Sequence, residues 1–129
     1  MRIERIDHLV LTVKHLAVTC EFYRTVLGME VITFGNGRTA LRFGDQKINL
    51  HVAGAELEPK AEHPTPGSAD LCFITAAPLE AVMNHWAALG VKSLGGPMER
   101  TGALGPMRSV YCRDPDRNLI EVSNYSMEP

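Results

Sequence analysis

The sequence predicts an α+β fold: two βαβββ modules that form a curved, cleft-bearing mixed sheet. Three observations predict it. The order strand, helix, three strands runs twice along the chain. Each helical stretch stops at the same dipeptide, Leu27-Gly28 and Leu89-Gly90, where glycine supplies the left-handed conformation that ends a helix. The first and last strands of each module alternate apolar and polar residues, the mark of a strand with one buried face.

Ile6 to Val13 is the opening strand, with Leu9, Leu11 and Val13 on one face. A helix follows from about His15 to Leu27, with Leu16, Tyr23, Val26 and Leu27 at helical spacing and Phe22 beside them. Strands are then expected at Glu30–Phe34, Thr39–Phe43 and Lys47–Val52, the first two joined by a Gly35-Asn36-Gly37 turn. No helix follows those glycines, so they mark a hairpin and not a phosphate loop. The second module opens with a strand from Asp70 to Thr75. Its helix runs from about Pro78 to Leu89, and Leu79, Val82, Trp86 and Leu89 line one stripe. Pro78 sits where its missing N–H costs nothing. Strands are expected near Ser93–Leu94, Arg108–Arg113 and Asn118–Ser123.

The halves overlay. Matching Gly28 to Gly90 needs an offset of 62 and places His8 on Asp70. Matching the run ending in His51 to the run ending in Glu121 needs an offset of 70. The difference, 70 − 62, leaves eight extra residues, assigned to a flexible Gly/Pro-marked loop at Arg100–Met107. Residues 53–68 carry three prolines and several charges and read as a linker. The expected organisation is one domain, 1–129, made of module 3–52, linker 53–68 and module 69–125. Neither module would bury enough apolar surface alone.

Composition narrows the function. Hydrophobic residues make up 45% and charged residues 22%, which fits a soluble globular chain and excludes bulk disorder. No run approaches the roughly 20 apolar residues of a membrane span. Thirteen Lys+Arg against fifteen Asp+Glu give a net charge of −2, so neither nucleic acid nor a membrane is an expected partner. Three cysteines, Cys20, Cys72 and Cys112, show no metal spacing and read as buried thiols in a reducing cytoplasm. The first residues read as an alternating strand and not as a signal peptide.

Four polar residues stand on the face opposite the apolar one. They are His8 in the first strand, His51 in the fourth, Asp70 in the fifth and Glu121 in the last. Two imidazoles and two carboxylates, repeated once per module, make an N2O2 donor set. It suits Zn²⁺, Ni²⁺, Mn²⁺ or Fe²⁺ at a seam between the sheets. A cation would also relieve repulsion between the two carboxylates. His15 and His85 fall on helix surfaces and His63 in the linker. Arg42, Arg100, Arg113 and Tyr111 could orient an anionic or oxygen-rich substrate, but a solvated face or a salt bridge is the favoured reading of each. Ser109 and Ser123 have no acid–base partner nearby in sequence. Met98, Met107 and Trp86 read as core or pocket wall.

Asp7-His8-Leu9-Val10-Leu11-Thr12-Val13, Phe22-Tyr23 with Leu27-Gly28-Met29, and Asp114-Pro115-Asp116-Arg117-Asn118-Leu119-Ile120-Glu121 resemble the vicinal oxygen chelate superfamily. This is the group of glyoxalases, bleomycin-resistance proteins and extradiol dioxygenases. The likeness extends from about Ile3 to Tyr125, and the run Glu58-Pro59-Lys60 with Pro64-Thr65-Pro66-Gly67-Ser68 is similar to small glyoxalase-domain-containing proteins. The resemblance implies one divalent metal held by His8, His51, Asp70 and Glu121. It implies a metal-dependent glyoxalase-like lyase or isomerase acting on a small oxygenated substrate, with Glu121 and Asp70 as catalytic carboxylates. It also implies a homodimer, often with exchanged modules. Glyoxalase I and the extradiol dioxygenases have histidine where this chain has Asp70. An iron or manganese ring-cleaving dioxygenase would therefore have to use His8, His51 and Glu121. A third reading is a binding protein of the bleomycin-resistance type, without catalysis.

Overall fold

The computed structural model describes residues 1–125, so the last four positions of the domain read as 1–129 lie outside the described residues. In chain order the elements are β1 (His8–Val13), α1 (Leu16–Val26), β2 (Glu30–Phe34), β3 (Arg38–Phe43) and β4 (Gln46–Val52). Then come β5 (Asp70–Ile74), α2 (Leu79–Ala88), β6 (Met98–Gly102), β7 (Gly105–Arg113) and β8 (Leu119–Tyr125). The chain divides into two compact units, Met1–Ser68 and the remainder from Ala69. Each holds one four-stranded mixed sheet. Among the described residues no helix is long and apolar enough to cross a membrane.

In unit 1 the strand order is β1-β4-β3-β2. β1 pairs with β4 in parallel, and the other pairs are antiparallel. A parallel partner needs a crossover, and α1 with the β2–β3 hairpin fills it. The Gly35-Asn36-Gly37 turn is present, with φ of +56° at Gly35 and +77° at Gly37. Helix α1 lies against β2, β3 and β4. Its Tyr23 and Val26 are buried, as are Leu11, Val13, Leu41, Ile48 and Leu50 on the apolar sheet face.

Unit 2 repeats the plan as β5-β8-β7-β6, with β5 and β8 parallel. Leu79 and Trp86 of α2 are fully buried, and the helix stops before Gly90 at φ +73°. The third strand of this unit corrects the expectation. Ser93–Leu94 is not a strand, because Gly95 and Gly96 follow with φ of +112° and +109°. Leu94 makes one backbone bond to Tyr111, and the edge strand β6 begins only after the glycines. The segment Arg100–Met107 is likewise no flexible loop. Thr101 pairs with Pro106 and Arg100 with Met107, so the extra residues lengthen a hairpin. Its tip is tied down by the Leu104 N–H, which donates to Tyr125 Oη at 3.0 Å.

The turn before β8 is held by one carboxylate. Asp114 Oδ1 accepts from the backbone N–H groups of Asp116 and Asn118, each at 2.9 Å, and Oδ2 accepts from Asn118 Nδ2 at 2.8 Å. Asn118 Oδ1 in turn accepts the N–H of Ala69 at 2.8 Å, next to the start of β5. Both side chains are buried. Asn118→Ala takes one hydrogen bond from the buried Asp114 carboxylate and one from the Ala69 N–H, and each such loss costs about 1–3 kcal/mol. We expect a loss of roughly 2–4 kcal/mol in a urea unfolding curve. A loss near zero would show that the network does not hold β5 to β8.

Candidate functional site

In unit 1 the face away from Leu11 and Val13 carries His8, Val10 and Thr12 on β1, and Lys47, Asn49 and His51 on β4, because paired residues of a ladder share a face. His8 lies opposite Lys47, Val10 opposite Asn49, and Thr12 opposite His51. His8 is half exposed, and its Nδ1 meets Asp7 Oδ2 at 2.8 Å. That hydrogen bond, with the charges of His8, Arg5 and Lys47, holds the Asp7 carboxyl below its ordinary value. Asn49 and His51 are buried, at 4% and 6% exposure. Asn49 Oδ1 and His51 Nε2 are both without a hydrogen-bond partner.

In unit 2 the corresponding face carries Asp70, Cys72 and Ile74 on β5, and Leu119, Glu121 and Ser123 on β8. Asp70 lies opposite Leu119, and Cys72 opposite Glu121. Across β7, Tyr111 is the rung partner of Glu121 and Ser109 that of Ser123. Ser109 Oγ and Ser123 Oγ are 2.6 Å apart, and Ser123 Oγ reaches Glu121 Oε2 at 3.5 Å. Arg100 Nε donates to Tyr111 Oη at 2.9 Å. Burial raises the Tyr111 phenol above its ordinary value. The Arg100 bond opposes this, while the charge and hydrogen bond of Glu121 add to it. Tyr111 therefore stands protonated between a guanidinium and a carboxylate.

The ladders revise one equivalence. Asp70 faces Leu119, and Glu121 lies two residues further along β8. His8 faces Lys47, so the residue two further along β4 is Asn49, and His51 lies four further. The overlay of β4 on β8 is thus 72 (49 to 121), not 70, and His51 matches Ser123. The sequence offset failed because the β3–β4 turn is two residues, Gly44-Asp45, whereas residues 114–118 form a five-residue loop. Asn49 is the position the sequence reading missed. Counting back from the apolar pair Ile48/Leu50 to Ile120/Val122 would have exposed it.

This spacing decides which donors can act together within a unit. His8 and His51 are separated by about 13 Å along the strands, and strand side chains stand roughly upright from the sheet. With a metal–nitrogen bond of about 2.1 Å, the two imidazoles do not meet on one ion. His8 with Asn49, and Asp70 with Glu121, are each diagonal neighbours about 8 Å apart on one face. Among the described residues no group of three His, Cys, Asp or Glu side chains is gathered to hold a metal. A single diagonal pair per unit is consistent with that.

A family model described as the glyoxalase/bleomycin resistance protein/dioxygenase superfamily matches residues 5–122. The chain belongs to this superfamily. It is 56% identical over 125 residues to virulence protein STM3117 of Salmonella typhimurium, covering 97% of this chain and 87% of that protein. The crystal structure of that virulence protein superposes with a TM-score of 0.96 over 98% of this chain and 100% of the other. A glyoxalase domain-containing protein, RDO1 of Mycosarcoma maydis, is 50% identical over 97% of this chain and 70% of its own length. A lactoylglutathione lyase from Agrobacterium tumefaciens shares the fold, with a TM-score of 0.72 at 24% identity and 95% coverage of each chain. A divalent metal is common in this superfamily. The donors that fit one, taken unit by unit, are His8 with Asn49 and Asp70 with Glu121. Asn49 Oδ1 and His51 Nε2 are equally buried and unpartnered, so it is the ladder, with Asn49 two residues beyond the His8 rung and His51 four, that favours Asn49 over His51.

The cysteines also depart from the sequence reading. Cys112 is buried and Cys20 partly so, but Cys72 is exposed. β5 alternates faces, and Cys72 shares its face with Asp70. Burial pushes the Cys112 thiol up to about 12, and burial together with Glu121 and Asp70 raises that of Cys72. In native protein at pH 8 a thiol reagent should label Cys72 first and slowly, with Cys112 reacting only after unfolding. The folded state keeps the Cys112 proton where the unfolded chain, at its ordinary 9.0, releases it. This contribution to stability is therefore complete below pH 9 and is lost as pH rises from 9 toward 12. Rapid labelling of Cys112 in folded protein would contradict this placement.

Proposed function

We propose that the protein is a metal-dependent lyase or isomerase of the glyoxalase type, acting on a small oxygenated substrate, with Glu121 as the proton-carrying carboxylate. One observation carries the reading. The same diagonal pair of donors recurs on the polar face of each unit, and its unit 2 carboxylate is the one that a phenol and a guanidinium hold in place. When bound, a divalent ion polarises a carbonyl and stabilises the oxyanion that forms. Taken unit by unit, the pairs that would offer donors to such an ion are His8 with Asn49 in unit 1 and Asp70 with Glu121 in unit 2. An oxygen donor in each pair, and two in that of unit 2, moves the expected ion toward Mn²⁺ and away from Zn²⁺.

The chain's own residues supply the rest. Glu121 takes a proton from the carbon beside a carbonyl and returns it to the neighbouring atom. Tyr111 donates its hydroxyl proton to the Glu121 carboxylate and accepts from Arg100, which fixes the rotamer of the base. Asp70, exposed beside it, adds a second acceptor. The chain is expected to form a homodimer, for which sedimentation would return twice 14.2 kDa.

Exchange of the proton beside the carbonyl, followed in D₂O by NMR over a panel of 2-hydroxyketones and thiohemiacetals, tests the base. Glu121→Gln should slow the exchange by about 10²–10⁴-fold, and Tyr111→Phe by a smaller factor. Exchange unchanged in Glu121→Gln would overturn the assignment. Metal analysis tests the donors: Asn49→Ala should lower the bound metal, whereas His51→Ala should leave it unchanged. The reverse order would restore His51 to the set.

A further inference from the structure

Displaced from the donor rung, His51 remains buried with an unpartnered Nε2. Among the described residues the two other buried side-chain atoms without partners, Thr19 Oγ1 and Trp86 Nε1, belong to helices. On the polar sheet face of unit 1 the unpartnered atoms are those of Asn49 and His51, alternate residues of β4. A buried polar atom normally has a partner, and with its proton on Nε2 the His51 ring offers a donor that calls for an acceptor from outside the protein.

The charge beside it says which kind. The register Thr39 to Leu50 makes Arg38 the cross-strand neighbour of His51 on the same face. The Arg38 guanidinium lies over the Phe34 ring, 4.9 Å from its centre. Lys47 Nζ stands 3.6 Å from the centre of the same ring. Phe34 belongs to β2 and Lys47 to β4, so the two meet across β3, where Ala40 is too small to separate them. Among the described residues neither cation forms an ion pair, whereas Arg42 on the same face is neutralised by Glu30 at 2.7 Å. Two cations held on an aromatic ring, beside a buried imidazole donor, leave the face short of negative charge.

We infer that His51 and Arg38, with Lys47, recognise an anionic oxygen group of the ligand, a carboxylate or a phosphate. This rests on the reading of a small oxygenated substrate and adds a charge to it. The His51 Nε2–H donates to one anionic oxygen, and the Arg38 fork donates to another. Arg38 and Lys47 have long, half-buried side chains that can swing off the ring to admit the group.

The test is an NMR titration of the full chain with lactate, inorganic phosphate and the uncharged lactamide. Lactate or phosphate should shift the amides of Arg38, Lys47 and His51, with lactamide at least tenfold weaker. Whichever anion binds more tightly identifies the group. Arg38→Gln, at a half-exposed position, and His51→Gln should each weaken the anion by fivefold or more while lactamide binding is unchanged. Equal binding of lactate, phosphate and lactamide would overturn the inference. So would anion binding unaltered in Arg38→Gln, or no shift from any of the three. Repeating the titration with Glu121→Gln separates the two readings, since anion binding survives there whether or not Glu121 carries a proton.

Discussion

The parallel ladder between the first and last strand of each unit is the constraint on which the rest depends. A parallel pair is closed only after the chain has built a helix and a hairpin between its two strands. Once closed, it decides which side chains share a face and how far apart they stand. In unit 1 it sets His8 against Lys47, and in unit 2 Asp70 against Leu119. Every statement about which donors act together follows from those two rungs. The Asp114–Asn118 network matters for the same reason: it bonds to Ala69, one residue before β5, and so secures the register where Asp70 begins.

Much of the fold was legible because local signals agreed with one another. Leu-Gly at both helix ends, the Gly-Asn-Gly turn and the alternating strands each pointed to the same repeated plan, and consistency across levels of this kind specifies a fold. The third strand of unit 2 was not legible. Gly95 and Gly96 have no role in the sequence reading, and their left-handed backbone pushes the edge strand beyond them. The Gly/Pro-marked stretch that followed looked like a loop although its residues pair across a hairpin. A paired strand need not carry an alternating pattern when its polar positions lie on an exposed edge.

The candidate site was legible by face but not by rung. His8, His51, Asp70 and Glu121 do stand on the polar faces, since a period of two is read directly from sequence. The distance between them depends on turn length, which sequence alignment of the halves absorbed in the wrong place. Asn49 was passed over because asparagine in a strand draws less notice than histidine. Its place two residues beyond the His8 rung, invisible in sequence, is what distinguishes it from His51. Tyr111 was noted only as a residue that could orient substrate, and its bond to Arg100 across the β6–β7 hairpin appears only when that hairpin is paired.

The unequal turns before β4 and β8 carry a consequence for how such a scaffold changes over time. A shift in pairing of one residue would turn the core-facing side chains outward and be lost to selection. A shift of two leaves every apolar residue on its own side and merely presents a different polar residue at each rung. Lys47, Asn49 and His51 are three such alternatives on a single strand, one amine, one amide and one imidazole. A small insertion or deletion in a surface turn can thus exchange the chemistry offered to a ligand while the core stays intact. Diversity of reaction on one architecture needs no more than that.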